Sequence, residues 1–417
     1  MQHKNFFFIL FISLFFGTSL NSIAQSGTYS PYSRYGLGEI TSYAYGQNLA
    51  MGGIGIGMRD HNKINFLNPA SYTSQDTMSF LLDVGMSTRI AELKTSSATD
   101  NLSNSGFDHL AVGFPITKFW KTNLGVVPFS SVGYKIEQIE DDPVLGELIQ
   151  AYQGQGGINT VIFGNAFHIY KGLHIGLNLK YYFGPLEYEK SFRLEENNTY
   201  TTYTNDNLYV KGFNYNFGLQ YHMDFAGDKF LNLGFVLEPE SNLNRKNKHE
   251  LLTVIGSSII DTIEYNSSND KFRLPQTIGA GFTAGIKNKL VAGFDYQMED
   301  WSKTDGNIAF QDQINLRFGV EYIPDYMSIT SYFDKISYRA GGFYRNTYLK
   351  INNEDIKNYG ITFGVGLPVT NMHTRFNIGV ELGKRGTTDN GLLEENYANF
   401  NFSLTLYDIW FYKRKFQ

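Results

Sequence analysis

Scattered histidines, acidic pairs, a glycine-rich run and a few arginines are where chemistry could begin in this chain, and most of them read more simply as structure. The eight histidines include no HExxH and no close pair of the kind a zinc site needs. His174 and His222 fall on inward faces of the strands assigned below, where ordinary polar packing is the plainer role. No GxSxG elbow marks a nucleophilic serine. Glu195-Glu196 and Glu394-Glu395 read as solvated loop charge, and so does Asp141-Asp142, whose other reading is a loose Ca²⁺ contact in an external loop. The absence of cysteine removes disulfides, thiol catalysis, thiolate metal sites and the lipid anchor of a bacterial lipoprotein. The run Ala50-Met51-Gly52-Gly53-Ile54-Gly55-Ile56-Gly57 fits neither GxGxxG nor a P-loop; its glycines suit tight turns and close backbone approach. The expectation is a protein that is not an enzyme and calls for no cofactor and no metal.

Arg317, Arg339 and Arg345 remain. All three are expected on inward faces, where a ligand carboxylate would meet them. Pairing with Glu321 and Glu381, also inward, is the reading preferred here.

The elements that would position these groups are strands. Segment after segment alternates apolar with polar residues, as in Thr374, Phe376, Ile378, Val380 and Leu382 against Arg375, Asn377, Gly379, Glu381 and Gly383. A period of two places each set on one face of a strand. Fourteen segments read this way: 78–90, 106–116, 121–136, 156–170, 172–190, 208–224, 229–241, 271–286, 288–301, 311–323, 336–349, 357–368, 373–385 and 396–411. Most are long enough to cross a bilayer at a tilt, which takes ~9–11 residues. Long polar connections (Glu189–Asn207, Ser241–Asp270, Gly386–Glu395) alternate with tight ones (Lys171-Gly172, Lys287-Asn288). That asymmetry and the charged inward face separate a membrane barrel from a soluble β-sandwich. The fold class expected is all-β, a transmembrane antiparallel β-barrel of about fourteen strands.

The composition agrees. Aromatic residues make up 16% of the 417, with 29 Tyr and 34 Phe, which suits strands and a membrane interface. Tyr181, Tyr182, Trp301, Tyr322 and Trp410 are expected in the interfacial girdles. A net charge of −5 offers no basic surface for nucleic acid. Residues 1–24 read as a secretory signal, with Lys4, the apolar core Phe6 to Phe16, and small Ser22 and Ala24 before the cut. An even strand count then places both chain ends in the periplasm, where Lys413-Arg414-Lys415 would meet headgroups or a partner.

Residues 25–77 lack strand alternation and have the size of a plug, with the barrel proper at 78–417. Met51-Gly52-Gly53, the Asn68-Pro69-Ala70 triplet, Leu274-Pro275-Gln276-Thr277-Ile278-Gly279, Tyr338-Arg339-Ala340-Gly341, Tyr359-Gly360-Ile361-Thr362-Phe363-Gly364 and the ending Trp410 to Lys415 occur in order. In these the chain resembles the FadL-type family of outer-membrane transport proteins, in its Bacteroidota form. The resemblance implies a fourteen-stranded barrel closed by an N-terminal hatch, with Asn68, Pro69 and Ala70 as a hatch element. It also implies passage of hydrophobic compounds such as long-chain fatty acids, sometimes leaving sideways through the wall. A related branch serves protein secretion.

Two functions follow. The first is passive transport of small hydrophobic compounds across the outer membrane, the bilayer lipid being the barrel's surroundings. The second is a plugged barrel subunit of an outer-membrane protein assembly or secretion complex, bound to other envelope proteins; a paired, charged lumen suits it slightly better. A general porin ranks third, because fourteen strands around a plug leave little open channel.

Overall fold

The computed structural model describes residues 28–41, 44–143, 146–194, 201–255, 258–304, 310–369 and 374–410. The export segment 1–24, Glu195-Glu196 and Lys413-Arg414-Lys415 lie outside the described residues.

One short strand, β1 (Glu39–Ile40), precedes the wall. The wall itself comprises β2 (Ser79–Lys94), β3 (Thr99–Pro115), β4 (Trp120–Asp142), β5 (Gly146–Tyr170), β6 (Leu173–Leu194), β7 (Thr201–Phe225), β8 (Lys229–Glu238), β9 (Ser241–Ile255), β10 (Ser258–Leu274), β11 (Thr277–Ile286), β12 (Leu290–Glu299), β13 (Gln313–Tyr322), β14 (Ser337–Ile351), β15 (Glu354–Pro368), β16 (Arg375–Gly386) and β17 (Glu394–Ile409). Neighbours pair antiparallel, and β17 closes on β2 from Glu394↔Lys94 to Ile409↔Ser79. β8 and β9 both lie along β7, so they form one wall strand interrupted at Pro239. β10 and β11 run back beside them as another, interrupted at Pro275. The result is a closed antiparallel barrel of fourteen strands, as the alternation requires.

The alternation works inside out relative to a soluble protein. Along β13, Phe318, Val320 and Tyr322 are exposed, while Asn315, Arg317 and Glu321 are buried. Along β16, Phe376 and Leu382 face outward, and Arg375 and Asn377 inward. Outward apolar side chains facing lipid and a polar interior are the pattern of a membrane-spanning barrel.

The two rims differ. One is cut short by tight turns at Lys171 (φ 43), Asp228 (φ 57) and Asn288 (φ 55). Short polar residues such as Asn and Asp tolerate this left-handed backbone better than most side chains. At the other rim β4 to β7, with β9 and β10, rise well past the remaining strands. Segment 241–270, expected as a loop, is therefore the β9–β10 hairpin, paired along its length from Ser258↔Ile255 to Leu274↔Ser241. Likewise β6 runs on to Leu194 and β7 starts at Thr201, so the connection after Glu189 is short. Of Gly386–Glu395 only residues 387–393 connect the strands; Glu394 and Glu395 open β17, and Glu395, expected as solvated loop charge, is buried and paired with Arg385.

A line of chain-breaking residues marks where cylinder gives way to tall sheet. Pro239 and Pro275 interrupt adjacent strands beside the same ladder, since Glu238 pairs with Thr277 and Ser241 with Leu274. Pro128 lies at a register shift in β4, and Gly156 (φ 112) and Pro185 interrupt β5 and β6. Proline withdraws a ladder donor and glycine relaxes the backbone, so the sheet bends there. Above the bend it turns apolar side chains inward. Val132, Tyr134, Ile158, Leu186, Val210, Leu243 and Phe272 join Tyr32 and Leu37 of the N-terminal segment in one buried cluster. Trp301 and Tyr182 belong to this cluster, at 1% and 0% exposure, rather than to a girdle. Trp301 stacks on Tyr348 at 4.6 Å between ring centroids. Tyr322 and Trp410 do face outward.

The first described residues sit inside the lumen near the tall rim. Ser30 donates to Glu395, and Tyr32 to the Leu393 carbonyl beside the connection that opens β17. Trp410 stacks on Phe80 at the tight-turn rim. The two described ends of the chain therefore lie at opposite ends of the barrel, not at one rim.

Candidate functional site

The hatch runs through the lumen from Thr28 to the start of β2, and its middle is seated on bare wall. Five inward strand glycines leave no room for a side chain. A Cβ on Gly319 would lie 2.2 Å from the Met51 carbonyl oxygen, and one on Gly341 2.4 Å from the Gly52 nitrogen. At Gly234 it would meet the Ile56 oxygen at 2.0 Å, at Gly218 the Asn68 Oδ1 at 2.1 Å, and at Gly176 the Pro69 carbonyl carbon at 2.4 Å. The glycine-rich run makes the matching approach from the other side. Gly52 turns in the left-handed region (φ 68), and its N–H donates to Thr362 Oγ1 (2.8 Å). Backbone has been packed on backbone.

Asp295 on β12 fixes the next turn. One carboxylate oxygen accepts from the N–H groups of Gly55 (2.6 Å) and Ile56 (2.8 Å). An Asp295→Ala variant leaves both N–H groups buried without that acceptor, which costs about 3 kcal/mol of local stability. Hydrogen exchange at Gly55 and Ile56 should accelerate accordingly; unchanged exchange would show the contact to be idle.

Asn68 then caps the short 3-10 helix Pro69–Ser74 by accepting from the Ala70 N–H (3.1 Å). Its Nδ2 donates to the Ile56 carbonyl (2.8 Å) and reaches Leu219 O on β7 (3.2 Å) and Phe235 O on β8 (3.4 Å). Pro69, which has no N–H to satisfy, occupies the first helical position. Ala70 is fully enclosed, and its carbonyl accepts from Arg59 (3.4 Å), which also donates to Gln220 (3.0 Å) and Thr73 (3.1 Å). The Asn-Pro-Ala triplet thus joins two hatch turns to two wall strands.

Ion pairs clamp the hatch at both ends. Toward the tall rim, Glu39 of β1 lies 2.7 Å from both Arg89 and Arg385, and Arg385 also holds Glu395. Burial pushes the Glu39 carboxyl up, but Arg385 and Arg89 outweigh it and hold it well below the usual carboxylate range. Toward the tight-turn rim, Arg339 bonds Glu321 (2.6 Å), Asn377 (2.8 Å) and Gln47 of the hatch (2.9 Å). Lys63 bridges Asp60 (3.1 Å) and Glu321 (3.5 Å). Burial likewise raises the Asp60 carboxyl, and Lys63 and His61 more than reverse it.

The three arginines therefore divide. Arg339 pairs with Glu321, as the inward register suggests. Arg317 donates to Gln297 (3.1 Å) and Arg345 to Asn315 (2.8 Å). Both line a cavity of about 490 Å³ between hatch and wall, which Glu39, Arg89 and Glu381 also face. A second cavity, about 420 Å³ near the tight-turn rim, is bordered by Arg59, Asp60, Lys63, Glu321 and Arg375. Both carry several charged side chains in linings that are otherwise mixed polar and apolar. By contrast the space beside Tyr182, Trp301 and Leu274 is only about 70 Å³, so the buried apolar cluster is nearly filled. Among the described residues no group of His, Asp and Glu is arranged to hold a metal ion.

Among the described residues the wall is breached beside β3. β3 and β4 pair only from Leu110↔Val126 to Pro115↔Lys121, although both continue toward the tall rim. Each carries a bulge where they part. Asp108 is extra between Gly85↔His109 and Met86↔Phe107, and Phe129 between Pro128↔Asn159 and Ser130↔Ile158. A bulge bends its strand and re-aims it. His109 lies 2.8 Å from Asp108 and 3.1 Å from Asp83, which holds the β3 bulge in place. In the gap, β1 pairs with β4 as Glu39↔Ser131 and Ile40↔Ser130, and the larger cavity extends to Asn104, Gly106 and Asp108 on β3.

Sequence reasoning placed Asn68, Pro69 and Ala70 in the hatch and the arginines inside. It missed the seating glycines and Asp295. Glycine recurring on the polar face of a strand was the available signal, since it marks close approach of another backbone.

Solved structures share this architecture. The toluene transporter TodX of P. putida superposes with a TM-score of 0.61 at 14% identity, covering 89% of this chain and 99% of that one. The CymD monoaromatic hydrocarbon channel gives 0.59 at 14%, covering 89% and 98%. A Pseudomonas aeruginosa FadL homologue gives 0.56 at 11%, covering 89% and 99%. At such identities the likeness establishes a FadL-like barrel fold. No curated protein matches. One family model matches residues 4–417, hatch and wall together, and by that match the chain belongs to the BamG family.

Proposed function

We propose that this barrel is a plugged subunit of an outer-membrane protein assembly or secretion complex, its lumen held closed by the hatch. The tight-turn rim faces the periplasm, and the tall sheet of β4 to β7, β9 and β10 stands outside the cell as a docking surface. The observation that carries this reading is the seat. Hatch backbone rests directly on wall glycines, with ion pairs clamping it toward both rims. Opening would break those contacts together and strand charges in a low-dielectric interior, which is strongly unfavourable. Membership of the BamG family fits the same reading.

The second reading, passive transport of small hydrophobic compounds such as long-chain fatty acids, draws on the FadL-like fold and on the cavity that reaches the breach in the wall. There Arg317 and Arg345 would meet a carboxylate, and movement around Asn68 to Tyr72 would open the path. The charged side chains spread around that cavity, Glu39, Arg89 and Glu381 among them, favour it less.

Mass spectrometry of proteins and lipids together, on the barrel isolated gently from its native membrane, separates the two. A stoichiometric set of envelope proteins is expected, with near-zero conductance of the barrel in planar bilayers. One enriched apolar compound with no protein companion would overturn the subunit reading in favour of transport.

A further inference from the structure

We propose that the open edge of β3, from Thr99 to His109, is a docking site for an extended strand of a partner polypeptide, inserted into the wall between β3 and β1. The proposal rests on the subunit reading above and specifies where one partner binds.

Among the described residues, β3 above Leu110 is paired on one side only, with β2. Its backbone N–H and C=O groups on the other side have no strand partner. Such an edge is a template for another chain, and at membrane depth an unsatisfied backbone group is strongly disfavoured. The edge begins at that depth, since Phe107 on β3 and its partner Met86 on β2 point outward at 49% and 57% exposure. An apolar molecule can fill space there but cannot satisfy a row of amides. A polypeptide strand can, through the same ladder that builds the rest of the wall.

The protein already supplies a partial example. β1 adds to the facing edge of β4 through two residues, and the Thr41 N–H extends it by donating to the Phe129 carbonyl (2.8 Å). Pro128, lacking an N–H, stands on β4 where that edge opens, the position a sheet edge allows. So β4 is partly capped by the chain itself, whereas β3 has no strand partner on that side among the described residues, although Thr28 to Ser30 lie near Leu102 to Asn104. The flanking side chains define the occupant. Its lumenal face would lie beside Asn104 and Asp108 and be polar; its outward face would be apolar beside Phe107, at membrane depth, and polar further up beside Ser105 and Ser103. An alternating strand is therefore expected, not a helix and not a lipid.

The bulge at Asp108 gives a handle on the geometry. Removing Asp108 restores an unbroken register between β2 and β3, lets β3 follow β4 further, and narrows the entrance.

The test uses the full chain in its native cells, with a photocrosslinking amino acid at Ser103 or Ser105 on the outward face of the edge. Controls carry it at Val320 and Phe363, outward positions (40% and 50% exposed) on strands paired along both edges. The expected result is an adduct from 103 and 105, absent from the controls, that maps to one alternating segment of another envelope protein. Deleting Asp108 should abolish it while the barrel still resists heat and protease. Adducts with lipid alone, with residues 25–27 of this chain, or equally from all four positions would overturn the proposal. Co-purification of partners with a silent edge would reject this docking site and leave the subunit reading standing. Hydrogen exchange gives a second check, because residues 99–109 should be slower in the isolated complex than in the stripped barrel. Equal rates would count against an inserted strand.

Discussion

A barrel carrying Gly319→Val and Gly341→Val together is expected to fold, lose its seated hatch and conduct ions. Valine suits a strand, and both positions lie inside ladders flanked by well-paired neighbours. What valine cannot do is share space with the hatch. Its Cβ alone would sit 2.2 Å from Met51 O at one site and 2.4 Å from Gly52 N at the other, and both neighbours are backbone that cannot rotate aside. Overpacking of this kind typically costs ~1–3 kcal/mol per site, and here two clashes fall on one turn. The hydrogen bond from Gly52 to Thr362 is lost with them. The hatch should detach around Met51 first, and planar-bilayer recordings should change from near silence to steady conductance. If the double variant stays silent and its hatch stays protected from protease, backbone seating does not keep the lumen closed. Alanine in place of valine should give a weaker version of the same effect, since its single methyl already overlaps.

Asn68→Ala should produce the largest effect of any single hatch substitution. Four contacts end on this side chain: the cap on Ala70 and the Nδ2 contacts with Ile56, Leu219 and Phe235. Losing the cap costs about 1 kcal/mol. Leaving enclosed carbonyls without their donor adds ~1–3 kcal/mol. A total of about 2–4 kcal/mol corresponds to about one and a half to three orders of magnitude in local opening. Hydrogen exchange over residues 50–77 should rise by that factor while the wall strands stay protected. Asn68→Ser keeps a cap acceptor but not the long-range donor, so it should fall between. If serine and alanine behave alike, the cap contributes nothing and the donor alone matters.

Both experiments address the question the fold leaves between its two functions. A lumen that opens only when the seat is destroyed behaves as a closed structural element. A lumen that opens in the native protein would need the same contacts to exchange reversibly.

Strand number and facing were legible in the sequence because lipid outside and polar side chains inside impose a period of two. Arg317, Arg339 and Glu321 could therefore be placed inward from alternation alone, and the structure buries all three. Asn68-Pro69-Ala70 could be assigned to the hatch through the resemblance to the FadL-type family, and its capping role, with proline at the first helical position, emerged only in the structure. The hairpin of β9 and β10 carried no such signal. It stands beyond the apolar band, with polar residues on both faces, and its strands form because β7 and its own partner supply the ladder. Trp301 and Tyr182 resembled girdle residues by type, yet Tyr182 takes the inward face of β6 in step with His174, Asn178 and Lys180, and Trp301 lies in the short turn after β12, stacked on Tyr348. Whether Arg345 meets Asn315 or a carboxylate depends on register, which only the assembled wall settles. The seating glycines and the breach beside β3 belong to the same class. Alternation records which face a residue takes; which backbone lies against that face, and which edge is left without a neighbour, is decided by segments far apart in sequence and fixed only when the barrel closes.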